Sequence, residues 1–556
     1  MKKLLVTSAL PYSNGPIHIG HIAGAYLPAD IFVRYQKLCK NDVVFICGTD
    51  ENGAAITIAA LKQKVSPQAL VDKYYELNKE SFEKLGIIFD NFSRTSRQIH
   101  HKTAQDFFVK LNEKGLLNKK ETQQLYCKVD NMFLADRYVS GTCPNCEYDD
   151  ARGDQCEKCG SALDPLSLKG PRCSICGKEP EIKSTSHWYL PLGKFQPELE
   201  EWLGKKKDWK DNVMNYCKGW FKDGLRDRAI TRDLEWGVPV PVPDAQGKVM
   251  YVWFEAPIGY ISSTKEWAEE KGNPDLWKDY WLNPECELIH FIGKDNIVFH
   301  AIFWPATLMG VREFNLPTQI PANEFLNLEG RKISTSKNFA VWVPDYLKNW
   351  DPDILRYTLA ANLPESKDAD FSWRLFQKCN NGELADILGN FINRTLTFIS
   401  KRLDNTIPEA VKTEMADSDF IEEIKQLADE AGALIDTYKI RAATHKIMDI
   451  ARAANRYFDS SEPWKTRKTN PEKCQTTLHY CCLAIRTLAI CFYPVIPFTC
   501  DKIWSMMGFD AKVSDSNWSD AVSDVNIEGT ELGNIEILFQ KIEEEDIQAE
   551  IEKLGL

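Results

Sequence analysis

A chain of 556 residues is too long for one hydrophobic core, so several domains are expected. Its net charge of −12 excludes a generally basic nucleic-acid coat but leaves room for a local basic face among its 68 Lys and Arg, and 44% hydrophobic with 11% aromatic residues fits a globular interior. No apolar run nears the ~20 residues of a membrane span, and seven of the seventeen cysteines fall between Cys127 and Cys176, which points to metal in a reducing, cytoplasmic setting rather than to disulfides.

Residues 4–10 form a short apolar run with Val6 and Thr7 and predict a first buried strand. Met1-Lys2-Lys3 ahead of it imitates a secretory leader, but the run is short and passes straight into Pro11-Tyr12-Ser13-Asn14-Gly15-Pro16-Ile17-His18-Ile19-Gly20-His21. Residues 22–38 then predict a helix despite Pro28. Two histidines three apart at a helix start share a face. Free backbone N–H groups and the positive dipole end favour an anion there. Gly15 and Gly20 keep the approach open for a phosphate. Without context, the same residues read equally well as two surface histidines.

His18-Ile19-Gly20-His21 matches the HIGH signature of class I aminoacyl-tRNA synthetases, and residues 10–21 resemble the methionyl-tRNA synthetase family. The resemblance extends through later motifs over nearly the whole chain. It implies an α/β architecture: a Rossmann-like parallel-sheet catalytic domain in two halves (1–118 and 231–325), a connective insertion with zinc knuckles (119–230), a junction domain (326–382), and an α-helical bundle that binds the anticodon, with a C-terminal arm (383–556).

Residues 43–47 predict a second buried strand, ending in Gly48-Thr49-Asp50-Glu51-Asn52-Gly53. Asp50 reads as a helix N-cap by itself; the resemblance assigns it to the methionine amino group. Residues 68–85 and 101–114 predict amphipathic helices. Cys143-x2-Cys146 and Cys156-x2-Cys159, nine residues apart, have the spacing of a tetrahedral zinc knuckle. Cys173-x2-Cys176 needs partners. Cys127 and Asp130 stand at the same x2 spacing, so a second zinc on Cys127, Asp130, Cys173 and Cys176 is a candidate, with His187 as the rival fourth ligand. Neither cluster offers an obvious open position, which suits a structural metal. The insertion is too small for the editing domain of the isoleucine, valine and leucine synthetases.

Residues 248–254 predict a strand and 288–292 another, followed by Gly293-Lys294-Asp295; Phe299 to Pro305 is assigned to a helix. Aromatics this dense are ordinary core, yet a thioether gains from aromatic contact. The resemblance places the methionine side chain among Leu10, Tyr12, Trp253, Ala256, Pro257, Tyr260, Phe299, His300 and Trp304. It places ATP against Pro11, His18, Gly20, His21, Gly293 and Asp295. Glu329-Gly330-Arg331-Lys332-Ile333-Ser334-Thr335-Ser336-Lys337-Asn338 is a basic, hydroxyl-rich turn that suits a polyphosphate. It resembles the second class I signature, Lys-Met-Ser-Lys-Ser, but reads Lys-Ile-Ser-Thr-Ser. With Thr335 in place of the second lysine, Lys332 is the first choice of catalytic cation, Lys337 or Arg331 the substitutes, and Ser334, Thr335 and Ser336 the accompanying ATP contacts.

From residue 351 the pattern is helical. Apolar positions keep helical spacing over 384–399, 421–438 and 447–457, and a further long apolar stretch covers 478–504; several such helices in succession make a bundle. Residues 535–540 predict a short strand and 543–554 an acidic helix, similar to an arm folding back on the catalytic core. By resemblance Asn393, Arg394 and Trp464 read the anticodon; Trp464 alone would also serve as a core tryptophan. The implied activity is a two-step ligation. Methionine and ATP, with Mg2+, give methionyl-adenylate, and the methionine tRNA used in initiation and elongation accepts it. Zinc, one or two ions, is structural, and a monomer is expected because the dimerising domain of some relatives is missing. The alternatives are another class I synthetase, or a non-catalytic zinc-knuckle RNA-binding protein. Absence of a Gly-x4-Gly-Lys loop and of Gly-x-Gly-x2-Gly disfavours P-loop and dinucleotide chemistry.

Overall fold

The computed structural model describes all residues except 135–137, 154, 155, 157, 160, 162, 336, 524 and 556. Five parallel strands stand in the order Ala322–Asn323, Cys286–Gly293, Lys3–Ser8, Asp42–Thr49, Asn91–Arg94. Leu5, Val6, Phe45, Ile46, Leu288 and Ile289 are fully buried, because crossover helices cover both faces of a parallel sheet. The chain builds outward from Lys3–Ser8 in one direction. After the insertion it returns to the other side with Cys286–Gly293. Strand order therefore reverses between these two neighbours, and open α/β sheets bind ligands beyond the carboxyl ends of such a pair. The pairing of Ser8 with Phe291 sets residues 10–12 beside 293–295.

Both strands lead, through short connections, to helical runs with the same irregularity. A π-turn at Ile22–Tyr26 precedes the helix Leu27–Leu38, and a π-turn at Phe299–Phe303 precedes Trp304–Val311. Pro28 and Pro305 sit in the first turn of those helices and have no N–H to offer. The wider turn just upstream lets the Leu27 and Trp304 N–H groups reach back to Ile22 and Phe299. Such turns recur at functional sites, and here they carry the residues that face the cleft.

The insertion contains a four-stranded sheet, ordered Arg228–Ala229, Glu181–Leu190, Asn118–Cys127, Met132–Phe133, and a three-stranded one, Ala151–Arg152, Val139–Thr142, Lys169–Cys173. The helices Leu192–Gly204 and Asp211–Asp223 return the chain to the core. The carboxyl-terminal part is a helical bundle whose long members are Asn390–Arg402, Met415–Asp436, Ile440–Ser461 and Pro471–Phe492. A buried ion cluster ties it to the catalytic part: Arg356 pairs with Asp30 at 2.6 Å and donates to the carbonyls of Pro494 and Val495 at 2.8 Å each. None of the described helices is long and apolar enough to cross a membrane.

Three local expectations differ. The strand over 248–254 is only Val249–Met250, after which Val252–Glu255 turns helical, so Trp253 starts a helix. The apolar stretch 478–504 is two helices, Pro471–Phe492 and Pro497–Met506; Pro494 and Pro497 remove two N–H donors and break it. Residues 535–540 form no strand. They run as extended chain along the junction, where the Gln540 and Ile542 carbonyls accept from Asn380 at 2.8 Å and Asn381 at 2.9 Å before the helix Glu544–Lys553.

Candidate active site

The two signature segments share one cleft. Ile19 N–H donates to the Val341 carbonyl at 3.1 Å and Val343 N–H to that of Ile17 at 3.0 Å. The strap that follows the basic turn is thereby stitched to the histidine segment. A Cβ at Gly20 would lie 3.1 Å from Ile333 Cδ1, so the turn itself reaches the glycine. The turn is a tight hairpin: Glu329 and Gly330 take φ of 48° and 72° between paired Leu328 and Arg331, and Ser334 and Phe339 exchange backbone hydrogen bonds of 2.9 Å. Arg331, Lys332, Thr335 and Lys337 are exposed along it, and Ser336 lies outside the described residues.

His18 and His21 stack with centroids 3.7 Å apart. Gly20 N–H donates to His18 Nδ1 and His18 N–H to His21 Nδ1, both at 3.1 Å. Each Nδ1 is therefore an acceptor, so a neutral ring carries its hydrogen on Nε2. Both rings are neutral near pH 7. Burial and the neighbouring His21 depress His18 well below its ordinary value, and burial brings His21 down to about 4. The pair is thus two fixed Nε2–H donors in front of a helix start.

Across the switch point, Gly293 allows the Asp295 carboxylate to fold back: a Cβ there would meet Asp295 Oδ1 at 2.8 Å. Asp295 is solvent-accessible but deep in the cleft. The surrounding protein raises its pKa, while Lys294 and Lys332 pull it down. The charge of Lys332, on the basic turn, thus reaches Asp295. Pro11 is buried beside it, its carbonyl accepting from Asp50 N–H at 2.9 Å.

Next to this lies an aromatic box. Trp253 stacks on Phe299 at 4.1 Å and meets Tyr12 edge-on at 5.8 Å. Leu10 Cδ1 would lie 3.0 Å from a Cβ on Gly259, and Ala256, Pro257 and Tyr260 are buried. His300 Nδ1 lies 3.0 Å from the Asn296 carbonyl, which only accepts, so Nδ1 bears the hydrogen and Nε2 accepts from the Tyr260 hydroxyl at 2.8 Å. Burial brings His300 down to about 4, which keeps this arrangement neutral. Trp304 stands behind the box, packed on Phe107 and Trp281. Asp50 is buried and opens toward Tyr12, with which it forms a backbone bridge. Burial first, then the nearby Glu255, raises its pKa, a state that an incoming ammonium would relieve.

Sequence reasoning missed what lies behind Asp50. Glu255, Asn52 and His100 are buried, and Glu255 is hydrogen-bonded to each of the other two. A histidine on the inner face of the helix Gln98–Glu113 and a glutamate inside an aromatic run were the available signals.

In the insertion, the ligand atoms of Cys143, Cys146, Cys156 and Cys159 lie within 4.8 Å of one another, and so do those of Cys127, Asp130, Cys173 and Cys176. Sulfur separations of 3.9 Å (Cys143–Cys159), 3.5 Å (Cys146–Cys156) and 3.4 Å (Cys127–Cys176) approach the ~3.8 Å implied by ~2.3 Å bonds at tetrahedral angles. Asp130 Oδ2 stands 3.0 and 3.1 Å from Cys127 and Cys173. His187 is elsewhere, 3.0 Å from the Thr231 hydroxyl and 3.2 Å from Asp233, so the rival fourth ligand is set aside.

In the bundle, Trp464 is 44% exposed, which removes the core reading. It neighbours Phe458 at 5.9 Å, and Arg394 lies 4.4 Å over the same Phe458 ring and pairs with Asp459. Asn393, on the same helix, is half-buried beside Thr397.

Residues 4–396 match the family model described as tRNA synthetases class I (M), and residues 407–555 match the anticodon binding domain of methionyl tRNA ligase. This chain belongs to the methionyl-tRNA synthetase family. The methionine–tRNA ligase of Salinibacter ruber is 47% identical over the whole chain and 81% of its own length, and that of Flavobacterium psychrophilum is 48% identical over the same shares. Among solved structures, Mycobacterium tuberculosis methionyl-tRNA synthetase in complex with methionyl-adenylate superposes with a TM-score of 0.81 at 25% identity, covering 97% of this chain and 100% of that one. The synthetase is accordingly a methionine–tRNA ligase with a parallel-sheet catalytic part and a helical anticodon domain.

Proposed function

We propose that methionine activation takes place where the sheet order reverses, with the methionine side chain in the Tyr12–Trp253–Phe299–Tyr260–His300 box and its ammonium on Asp50. ATP lies along Pro11, His18, Gly20, His21, Gly293 and Asp295, the carboxylate of Asp295 taking the ribose hydroxyls. The observation that supports the reading is the stitching of the strap at Val341–Val343 to Ile17–Ile19, which holds the basic turn that carries Lys332 beside the histidine segment.

The substrate carboxylate is already a nucleophile, so attack on the α-phosphorus needs no protein base. The chain supplies position and charge stabilisation. Two neutral Nε2–H donors meet negative charge without repelling a nearby ammonium, and Lys332 adds the mobile positive charge for the departing pyrophosphate. Thr335 contributes a hydroxyl where relatives of the signature have a lysine, and Ser334 another. Mg2+ accompanies ATP as its counter-ion, with no protein ligand assigned. The terminal ribose hydroxyl of the methionine tRNA then attacks the adenylate, while Trp464, Asn393 and Arg394 read unpaired anticodon bases by stacking and edge hydrogen bonds.

Each thiolate cluster fits a zinc ion, the second completed by Asp130 oxygen. Four protein ligands per site leave no open position, so the metal would hold the knuckles folded. Pyrophosphate exchange run with each amino acid in turn tests the proposal. Exchange with methionine far above all others supports it; exchange favouring another amino acid, or RNA binding without exchange, refutes it.

A further inference from the structure

Three carboxylates are buried around the amino-group site: Asp50, Glu51 and Glu255. Glu51 is neutralised by Arg94 at 2.8 Å and also accepts from the Thr49 and Ser96 hydroxyls. Asp50 awaits the substrate ammonium. Among the described residues, Glu255, with no exposed surface, has Asn52 Nδ2 at 2.9 Å and His100 Nε2 at 2.7 Å as its hydrogen-bond partners. A bare anion here would sit beside Asp50 with no cation of its own.

The hydrogen-bond chain behind it assigns the proton. The Ser262 hydroxyl donates to the Gly259 carbonyl at 3.1 Å, which spends its one hydrogen. With the hydroxyl hydrogen on Gly259, His100 Nδ1, 3.1 Å from that same oxygen, is the donor. A neutral ring with hydrogen on Nδ1 leaves Nε2 as an acceptor. Nε2 therefore accepts from Glu255, while the other carboxyl oxygen accepts from Asn52, whose backbone N–H faces Asp50 Oδ1 at 3.4 Å.

We propose that Glu255 and His100 hold a single shared proton, so that the pair carries no net charge and the amino-group site presents one negative charge, on Asp50, to one ammonium. Glu255 is a positioning residue, acting through Asn52 and Asp50. Its proton rests between Glu255 Oε2 and His100 Nε2. The inference rests on the proposed role of Asp50, but the location of the proton can be read separately. The charged and titratable neighbours agree with it. Burial brings His100 down to about 3 and pushes Glu255 up to about 8, His101 beside it is also held neutral, and Glu51 is already offset by Arg94.

Infrared difference spectra of the full chain against Glu255→Gln test this at neutral pH. The expected result is a protonated-carboxyl C=O band that shifts in D2O, disappears as pH rises through about 8, and is absent from the variant. Glutamine reproduces the donor–acceptor pattern of a protonated carboxyl, so the methionine KM should rise about tenfold more in Glu255→Ala than in Glu255→Gln. A missing band in the wild-type protein, its persistence in Glu255→Gln, or equal damage by the two substitutions overturns the assignment. If Glu255→Gln does not fold, 15N spectra of the wild-type protein decide: hydrogen on His100 Nδ1 supports the proposal and hydrogen on Nε2 alone refutes it. Asp50→Asn separates the two readings. Retained band with unchanged methionine affinity would refute the role of Asp50 and leave the proton where it is placed.

Discussion

Gly20→Ala isolates the meeting of the two signatures. An added Cβ would lie 2.9 Å from His18 Cε1, 3.0 Å from its Nδ1 and 3.1 Å from Ile333 Cδ1, each about half an ångström short of an ordinary carbon contact. The His18 ring cannot retreat freely, since His21 stacks on it at 3.7 Å and Trp342 meets it at 5.8 Å. Displacing it breaks the bond from Gly20 N–H, about 1 kcal/mol, and re-aims the Nε2–H. Misplacing a catalytic group by about 1 Å costs up to ~10²-fold, so kcat for adenylate formation should fall about 10- to 100-fold. The aromatic box is untouched, so the methionine KM should hold. Alanine favours a helix over glycine by about 1 kcal/mol, so thermal unfolding should show no loss. Single-turnover adenylate formation and a melting curve decide. A kcat within about twofold of wild type at unchanged stability would refute the argument that His18 and Ile333 close on this glycine.

Lys332→Ala should slow adenylate formation while methionine affinity by calorimetry stays within about twofold, whereas Trp253→Ala, which loses its stack on Phe299, should weaken methionine binding by about 1–3 kcal/mol; equal pyrophosphate exchange in the first, or unchanged binding in the second, would contradict these roles. Metal analysis should find zinc at both clusters, and Cys173→Ser with Cys176→Ser should remove only the second ion; a single zinc in the wild-type protein would leave Asp130 without its role. Trp464→Ala should weaken tRNA aminoacylation without changing methionine-dependent pyrophosphate exchange, and an equal loss in both assays would return Trp464 to a structural part. His300 is neutral when folded, its pKa brought down from 6.5 to about 4, so it stabilises the fold above pH 6.5 and loses that contribution as pH falls toward 4. Between pH 7 and 4.5 in urea, His300→Gln should therefore lose about 2–3 kcal/mol less than wild type; parallel losses would contradict the shift.

The elements that position the cleft were legible because their signals are local. A continuous apolar run marks a parallel strand, and histidines with glycine at its end mark the turn that follows. The knuckles were legible for the same reason, since ligand spacing is a short-range constraint. Trp253 was misread as part of a strand because its hydrophobic run has no period that separates a buried strand from a buried helix start. The strap at Val341–Val343 has no sequence signature, as its function is a backbone pairing with residues more than three hundred positions away. The Glu255–His100 pair was hidden because each residue looks unremarkable until tertiary packing removes water from both. His187 was a reasonable zinc ligand by type, and only its position across the strand from Thr231 rules it out.

In the proposed reaction the histidine segment and the basic turn act on one triphosphate. The most direct measurement is the structure of the full chain with ATP, Mg2+ and methioninol, which lacks the attacking carboxylate. His18 and His21 Nε2 are expected within hydrogen-bond reach of the phosphates, and Lys332 Nζ on the β- or γ-phosphate. Phosphates bound away from either segment, with Lys332 turned to solvent, would contradict it.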